Sequence, residues 1–286
     1  MTAQLPPDDG CRDCGRFLLD VSGTFGRSDV TVTSCHEARP SNAEVDRLIE
    51  QTWAERLAEA ERTGKKLYDG MLCRLISHRT RGRRLELTVG PVSFKEFVGT
   101  NCANPHLRHK YGVEVLANPL GVSAALVSSD GFIIMGRRSD RVAVHGGMIH
   151  PIGGMVGLNG CAAPDPFAAV LSEIVEETAL PAERAEKITC LGLVRDKGLF
   201  QSEMVFRAAV KADVRAIRRL AEHAADAAEH SELLAVRDES CSVVNFIERH
   251  CHQATAVALA SLMLHGLDRW GSGWFAAARG YLGSFI

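Results

Sequence analysis

The chain has 286 residues, 46% of them hydrophobic, and its 33 Lys and Arg against 35 Asp and Glu leave a formal net charge of −2. That composition supports a buried core in one large or two modest domains and excludes a polyanion binder whose affinity comes from net charge. No apolar run reaches the roughly 18 residues of a membrane span, and the start MTAQLPPDDG carries no basic-then-apolar signal pattern. The nine scattered cysteines are then expected to be reduced thiols in the cytoplasm.

Residues 1–10 are expected to fray. Cys11, Cys14, Cys35 and His36 could in principle hold a tetrahedral zinc ion, but only Cys11 and Cys14 have ligand spacing and the other two are adjacent, so ordinary thiols are the favoured reading. Ser41 and Glu44 form a capping-box pattern, and Val45, Leu48, Ile49, Trp53 and Leu57 recur at helical spacing up to a stop near Gly64. Strands are predicted over Met71–Ser77 and Arg84–Gly90, joined by a basic turn. A second domain is expected to begin near Asn118, with strands Val122–Ser128 and Phe132–Arg137 around the turn Ser129-Asp130-Gly131. A helix opens at Asp165-Pro166, where Asp can cap and Pro can fill the first turn. Strands Ile188–Arg195 and Met204–Val210, a helix Asp213–His230, a short strand Ser242–Phe246, a helix Gln253–Gly266 and a last helical stretch after Trp270–Phe275 complete the order. The mixture suits an α/β/α sandwich around a mixed sheet in residues 118–286, preceded by a smaller α+β domain in residues 1–117.

Chemistry concentrates on the helix after Asp165. Glu173, Glu176 and Glu177 stand at i, i+3 and i+4; at about 100° per residue they occupy roughly a third of the circumference. Clustered carboxylates of one charge call for a hard divalent cation, with Mg²⁺ the leading choice beside phosphates and Mn²⁺ a possible substitute. The bland alternative is a solvated acidic face. Gly153 and Gly154 precede this helix, and glycines let backbone groups approach metal or phosphate without a Cβ clash.

The stretch from Gly153 to Leu180 resembles the Nudix box, a glycine loop followed by a helix ending Arg-Glu-apolar-x-Glu-Glu-x-Gly-apolar. Glu173-Ile174-Val175-Glu176-Glu177 matches the core of that pattern. Ser172 stands in place of the Arg that holds the neighbouring carboxylate, Ala179 in place of the Gly, and the loop is longer, with Asp165 its only acidic residue. Asp69-Gly70, Gly99-Thr100-Asn101, Asn118-Pro119-Leu120-Gly121-Val122 and Arg137-Arg138-Ser139 follow in the order found in the uridine diphosphate glucose pyrophosphatase-like Nudix hydrolases.

That resemblance implies a Nudix sandwich and an Mg²⁺-dependent hydrolase splitting UDP-glucose or UDP-galactose into UMP and hexose 1-phosphate. It implies a metal site from Gly153, Glu173, Glu176 and Glu177, the same three carboxylates being catalytic. A donor from elsewhere in the fold is expected to replace the missing Arg beside Glu173. Arg137 or Arg138 is expected to reach phosphate, since adjacent strand residues point to opposite faces, and Thr100 and Asn101 to contact uracil or ribose. Glu203 and Glu239 are further carboxylate candidates. His145 and His150 read as loop histidines. Alternatives are a Nudix diphosphatase acting on ADP-ribose or a dinucleotide, and a non-catalytic nucleotide-sugar binder. The expected partner is a small nucleotide sugar, with neither nucleic acid nor membrane.

Overall fold

The computed structural model describes residues 11–65, 67–140, 142, 144–158 and 164–283; the expectation for residues 1–10 lies outside these. Strands β1 (Arg12–Asp13), β2 (Phe17–Phe25) and β3 (Val30–Ser34) precede helix α1 (Ala43–Thr63). Next come β4 (Met71–Arg81), β5 (Arg84–Ser93), the short helix α2 (Phe94–Phe97), a π-helical turn over Val98–Cys102 and α3 (Leu107–Tyr111). Strands β6 (Gly121–Val127), β7 (Phe132–Arg138), β8 (Ile149–His150) and β9 (Ile152–Met155) lead to α4 (Pro166–Thr178). The chain ends with β10 (Ala185–Asp196), β11 (Ser202–Val210), α5 (Val214–Ala221), β12 (His230–Arg237), α6 (Ser240–His250) and α7 (Ala256–Leu282).

Local chemistry accounts for the helix ends. Asn42, one residue past the expected Ser41, caps α1 by accepting from the Glu44 and Val45 amides, and Gly64 closes it at φ 67°. Asp165 caps α4, accepting from Phe167 (2.9 Å) and Ala168 (3.1 Å). At its other end Ala179 takes φ 52°, a left-handed conformation that disfavours a Cβ.

The fold is α/β with a mixed sheet. Nine strands form one sheet in the order β1-β2-β10-β11-β6-β7-β12, with β8 on β7 and β9 on β6; β3-β5-β4 form a second. Only the β11–β6 pair is parallel in the large sheet. One face of that sheet packs Val122, Ala124 and Leu126 against Phe167, Val170 and Ile174 of α4. The other packs Ala125, Ile133 and Met135 against α7. The small sheet zips onto the large one, with Cys73 N–H donating to Val156 (2.8 Å) and Leu120 N–H to Cys73 (2.7 Å). Its Leu75, Leu85, Leu87 and Val89 belong to the same core as α4. Residues 17–25 run in the large sheet, so the expected division at 117/118 does not separate two cores.

Two expected elements differ. Ser242–Phe246 lies within α6, where Val243 and Ile247, four apart, are the buried pair. The helix expected over Asp213–His230 ends at Ala221, and His230–Arg237 is a strand paired with β7. No helix among the described residues is long and apolar enough to cross a membrane.

Candidate functional site

Strand directions bring one set of ends together. Gly121 opens β6, Ser202 opens β11 and His230 opens β12, while Arg138 closes β7 and Asp196 closes β10. The pairings β6–β11 parallel and β6–β7, β7–β12 and β10–β11 antiparallel place all five at the same end of the sheet. Met155 of β9 pairs with Gly121 there. Helix α4 lies across one face at this end, its apolar side down and Glu173 and Glu177 turned toward β9.

Glu177 is 2% exposed. Its Oε1 accepts from the Gly153 amide at 2.9 Å, and its Oε2 bonds His230 Nε2. Glu173, one turn earlier, rests on Gly154: a Cβ there would meet Glu173 Oε1 at 2.2 Å, so a side chain at this position would displace the carboxylate. Glu176 accepts from Ser172 Oγ at 2.5 Å. Burial, then the charges of Glu177, Glu176, Glu229 and Asp226, push Glu173 up to about 8. Burial also raises Glu177, against the hydrogen bond and charge of His230 and the Gly153 amide.

The donor expected beside Glu173 is not found there. Among the described residues no hydrogen bond reaches the Glu173 carboxylate; the short Ser172 serves Glu176, and a residue from β12 serves Glu177. His230 and the adjacent acids Asp226 and Glu229 were missed because the Ala-rich run before them reads as helix. Only the alternation Leu234, Val236 hints at a strand.

The two arginines divide as strand alternation requires. Arg138 shares the α4 face with Gly136; its side chain is 15% exposed, 3.5 Å from Glu229 Oε2, and donates to the Val144 carbonyl. Arg137 points to the α7 face, reaching Gln253 Oε1 and Glu232.

Thr100 and Asn101 turn inward onto backbone groups. Both are 0% exposed. Thr100 Oγ1 donates to Glu96 O (2.7 Å) and accepts from Ala117 N (3.0 Å). Asn101 Nδ2 donates to Leu199 O (2.9 Å), and its Oδ1 accepts from Asn118 N (3.0 Å). They staple three loops together, which corrects the expectation that they read uridine. The same segments place Phe94, Val144, Met155 and Leu199, all partly buried, in one apolar cluster at the site end of the sheet.

Glu203 is 6% exposed and lies on the α7 face, against Gly121. Burial pushes it up to about 8, with the Asp196 charge adding to this and the Arg138 charge opposing it, and the α4 carboxylates play no part. Glu239 is exposed, accepts from Ser242 (3.2 Å) and precedes α6 at the far end of β12 from His230. An eight-residue strand spans about 26 Å, so Glu239 is not part of this group. His150 Nδ1 bonds Thr255 Oγ1 at 2.9 Å, and His145 stacks on it with ring centroids 6.2 Å apart. Burial holds both below the usual histidine range.

Among the described residues no three His, Cys, Asp or Glu side chains converge as a preassembled metal cage. The donor set on α4 nonetheless fits a hard cation. It is all oxygen, Glu173 has no protein donor, and Glu176 and Glu177 keep lone pairs beyond those their partners occupy.

No protein-family model matches the chain. The chain is 29% identical over 194 residues to the uridine diphosphate glucose pyrophosphatase NUDT22 of Homo sapiens, covering 58% of this chain and 62% of that protein. It is 27% identical over 210 residues to Nudix hydrolase 9 of Arabidopsis thaliana, covering 63% and 67%. The chain thus spans less than two thirds of the human relative's length. The MutT protein from Methanosarcina mazei Go1 superposes at a TM-score of 0.36 and 17% identity, covering 53% of this chain and 94% of that one. The chain resembles Nudix hydrolases, and among them the UDP-glucose pyrophosphatase group.

Proposed function

We propose that this Nudix-like chain is an Mg²⁺-dependent pyrophosphatase that cleaves UDP-glucose or UDP-galactose to UMP and hexose 1-phosphate. The observation that carries the reading is the Glu173 carboxylate. It sits on Gly154 with no protein donor among the described residues, beside two further carboxylates, on the helix that matches the Nudix box. Glu173, Glu176, Glu177 and the Gly153 carbonyl would hold the cation. When bound, it supplies neutralisation of the diphosphate oxygens and lowers the pKa of the attacking water.

The remaining work falls to the chain. Arg138, on the α4 face at the site end, binds a diphosphate oxygen pair with its planar fork. Ser172 fixes the rotamer of Glu176, and the Gly153 amide with His230 fixes that of Glu177. Such locked geometry is what turns a bound diphosphate into a reactive one. Phe94, Val144, Met155 and Leu199 offer the nucleoside an apolar wall that keeps water from the reacting phosphate. Uridine selection then rests on this wall and on backbone groups, since Thr100 and Asn101 are committed elsewhere.

A screen of nucleoside diphosphate compounds with Mg²⁺, reading UMP, AMP and phosphate separately, tests the reading. UMP release from both UDP-hexoses, faster than AMP release from ADP-ribose or ADP-glucose, is the expected result. Faster cleavage of ADP-ribose would overturn the uridine assignment and keep a Nudix diphosphatase. UDP-glucose binding without any cleavage would make the chain a binder.

A further inference from the structure

Ser172 leaves the box helix without its arginine, and the structure supplies a different basic donor from a strand more than fifty residues away. We propose that His230 is the positioning residue for the metal-holding carboxylates, fixing Glu177 from β12; this rests on the reading of α4 as a divalent-cation site. Three features are built around that contact. The side chains of His230 and Glu177 are 5% and 1% exposed, so neither rotates freely into solvent. The imidazole lies flat on β7 at Gly136, where a Cβ would fall 2.2 Å from both Nδ1 and Cε1, so the absent side chain there is what admits the ring. Glu177 Oε1 is meanwhile pinned by the Gly153 amide.

The donor assignment follows from the surroundings. The carboxylate only accepts, so Nε2 carries the hydrogen toward it; Nδ1 is buried and has no hydrogen-bond partner among the described residues. In that tautomer one lone pair is left unpaired. His230 thus acts as a one-point donor that holds Glu177 in a single rotamer, whose remaining lone pairs would be left to hold the cation. It acts through Glu177. The segment that delivers His230 also delivers Glu229 to Arg138 (3.5 Å). One short stretch before β12 therefore positions both a carboxylate and a phosphate-binding guanidinium.

The experiment titrates Mn²⁺ into the 286-residue chain and follows free Mn²⁺ by electron paramagnetic resonance, with UDP-glucose kinetics alongside. Loss of a partner that orients a ligand weakens metal affinity by about 10–100-fold. His230→Ala is expected to weaken Mn²⁺ binding within that range, and His230→Gln, which keeps an N–H donor, to recover most of the loss. Gly136→Ala, which displaces the ring and alters no carboxylate, is expected to behave like His230→Ala. All three should unfold cooperatively in urea. A merely structural role would lower the urea midpoint and leave the Mn²⁺ affinity of the folded protein unchanged. Wild-type-like Mn²⁺ affinity in His230→Ala, or equal losses in the Ala and Gln variants, overturns the inference alone. Absence of Mn²⁺ binding by the wild type removes the cation-site reading and this inference with it.

Discussion

Asn101→Ala separates a ligand contact from a structural staple. The Asn101 side chain is fully buried and joins three segments: Nδ2 donates to Leu199 O at 2.9 Å and more weakly to Phe200 O at 3.4 Å, while Oδ1 accepts from Asn118 N at 3.0 Å. Phe200 itself sits at φ 57°, a conformation that needs support from its neighbours. Truncation leaves the Asn118 N–H and the Leu199 carbonyl without partners. At about 1–3 kcal/mol for each of these two unsatisfied buried groups, the loss is about 2–6 kcal/mol. Urea unfolding should show a lower midpoint with an unchanged slope. At a temperature where the variant stays folded, the ratio of kcat/KM for UDP-glucose to that for ADP-ribose should match wild type. An unchanged midpoint together with a changed ratio would refute the staple and return Asn101 to nucleotide recognition.

Ala179→Gly should stabilise the protein by about 1 kcal/mol, because Ala179 holds a left-handed φ of 52° that costs about 1–2 kcal/mol with a Cβ, less the added freedom of an unfolded glycine; thermal unfolding checks the sign. In metal-free protein Glu173 titrates near 8 in the folded state against an ordinary 4.5, so its contribution to stability is present at low pH and is lost as pH rises through that window. Glu173→Gln should therefore flatten the fall in urea midpoint between pH 5 and about 8 in EDTA; an unchanged pH slope would count against it. Arg138→Ala should lower kcat/KM for UDP-glucose about tenfold or more, the scale of one charge-assisted hydrogen bond, whereas Arg137→Ala, on the α7 face, should change it little; equal losses would contradict the division of faces.

The box helix was legible because its signals are local. Asp165 and Pro166 mark its start, and Phe167, Val170 and Ile174 recur at helical spacing on the buried side, which leaves the carboxylates at its margin. The strands around it also announce themselves by apolar runs. What could not be read is what pairing over long distances decides. Residues 213–230 have the composition of a helix, but β12 exists because β7, about a hundred residues earlier, offers it an edge. The Thr100-Asn101 element was visible as a landmark, yet its role depends on Leu199 and Asn118, which spacing cannot place beside it. His230 was hidden for the same reason: its partner Glu177 is fifty-three residues away. The strands on either side of the expected 117/118 boundary share one core, which periodicity does not report.

The central claim is that the α4 carboxylates serve hydrolysis of a nucleotide-sugar diphosphate. The most direct measurement incubates the wild-type chain and Glu173→Gln with UDP-glucose and Mg²⁺ and quantifies nucleotide and sugar products together by ³¹P nuclear magnetic resonance. The account predicts equimolar UMP and glucose 1-phosphate from wild type, abolished by EDTA and reduced by orders of magnitude in Glu173→Gln. Intact UDP-glucose with the wild type, or undiminished cleavage by Glu173→Gln, would contradict it.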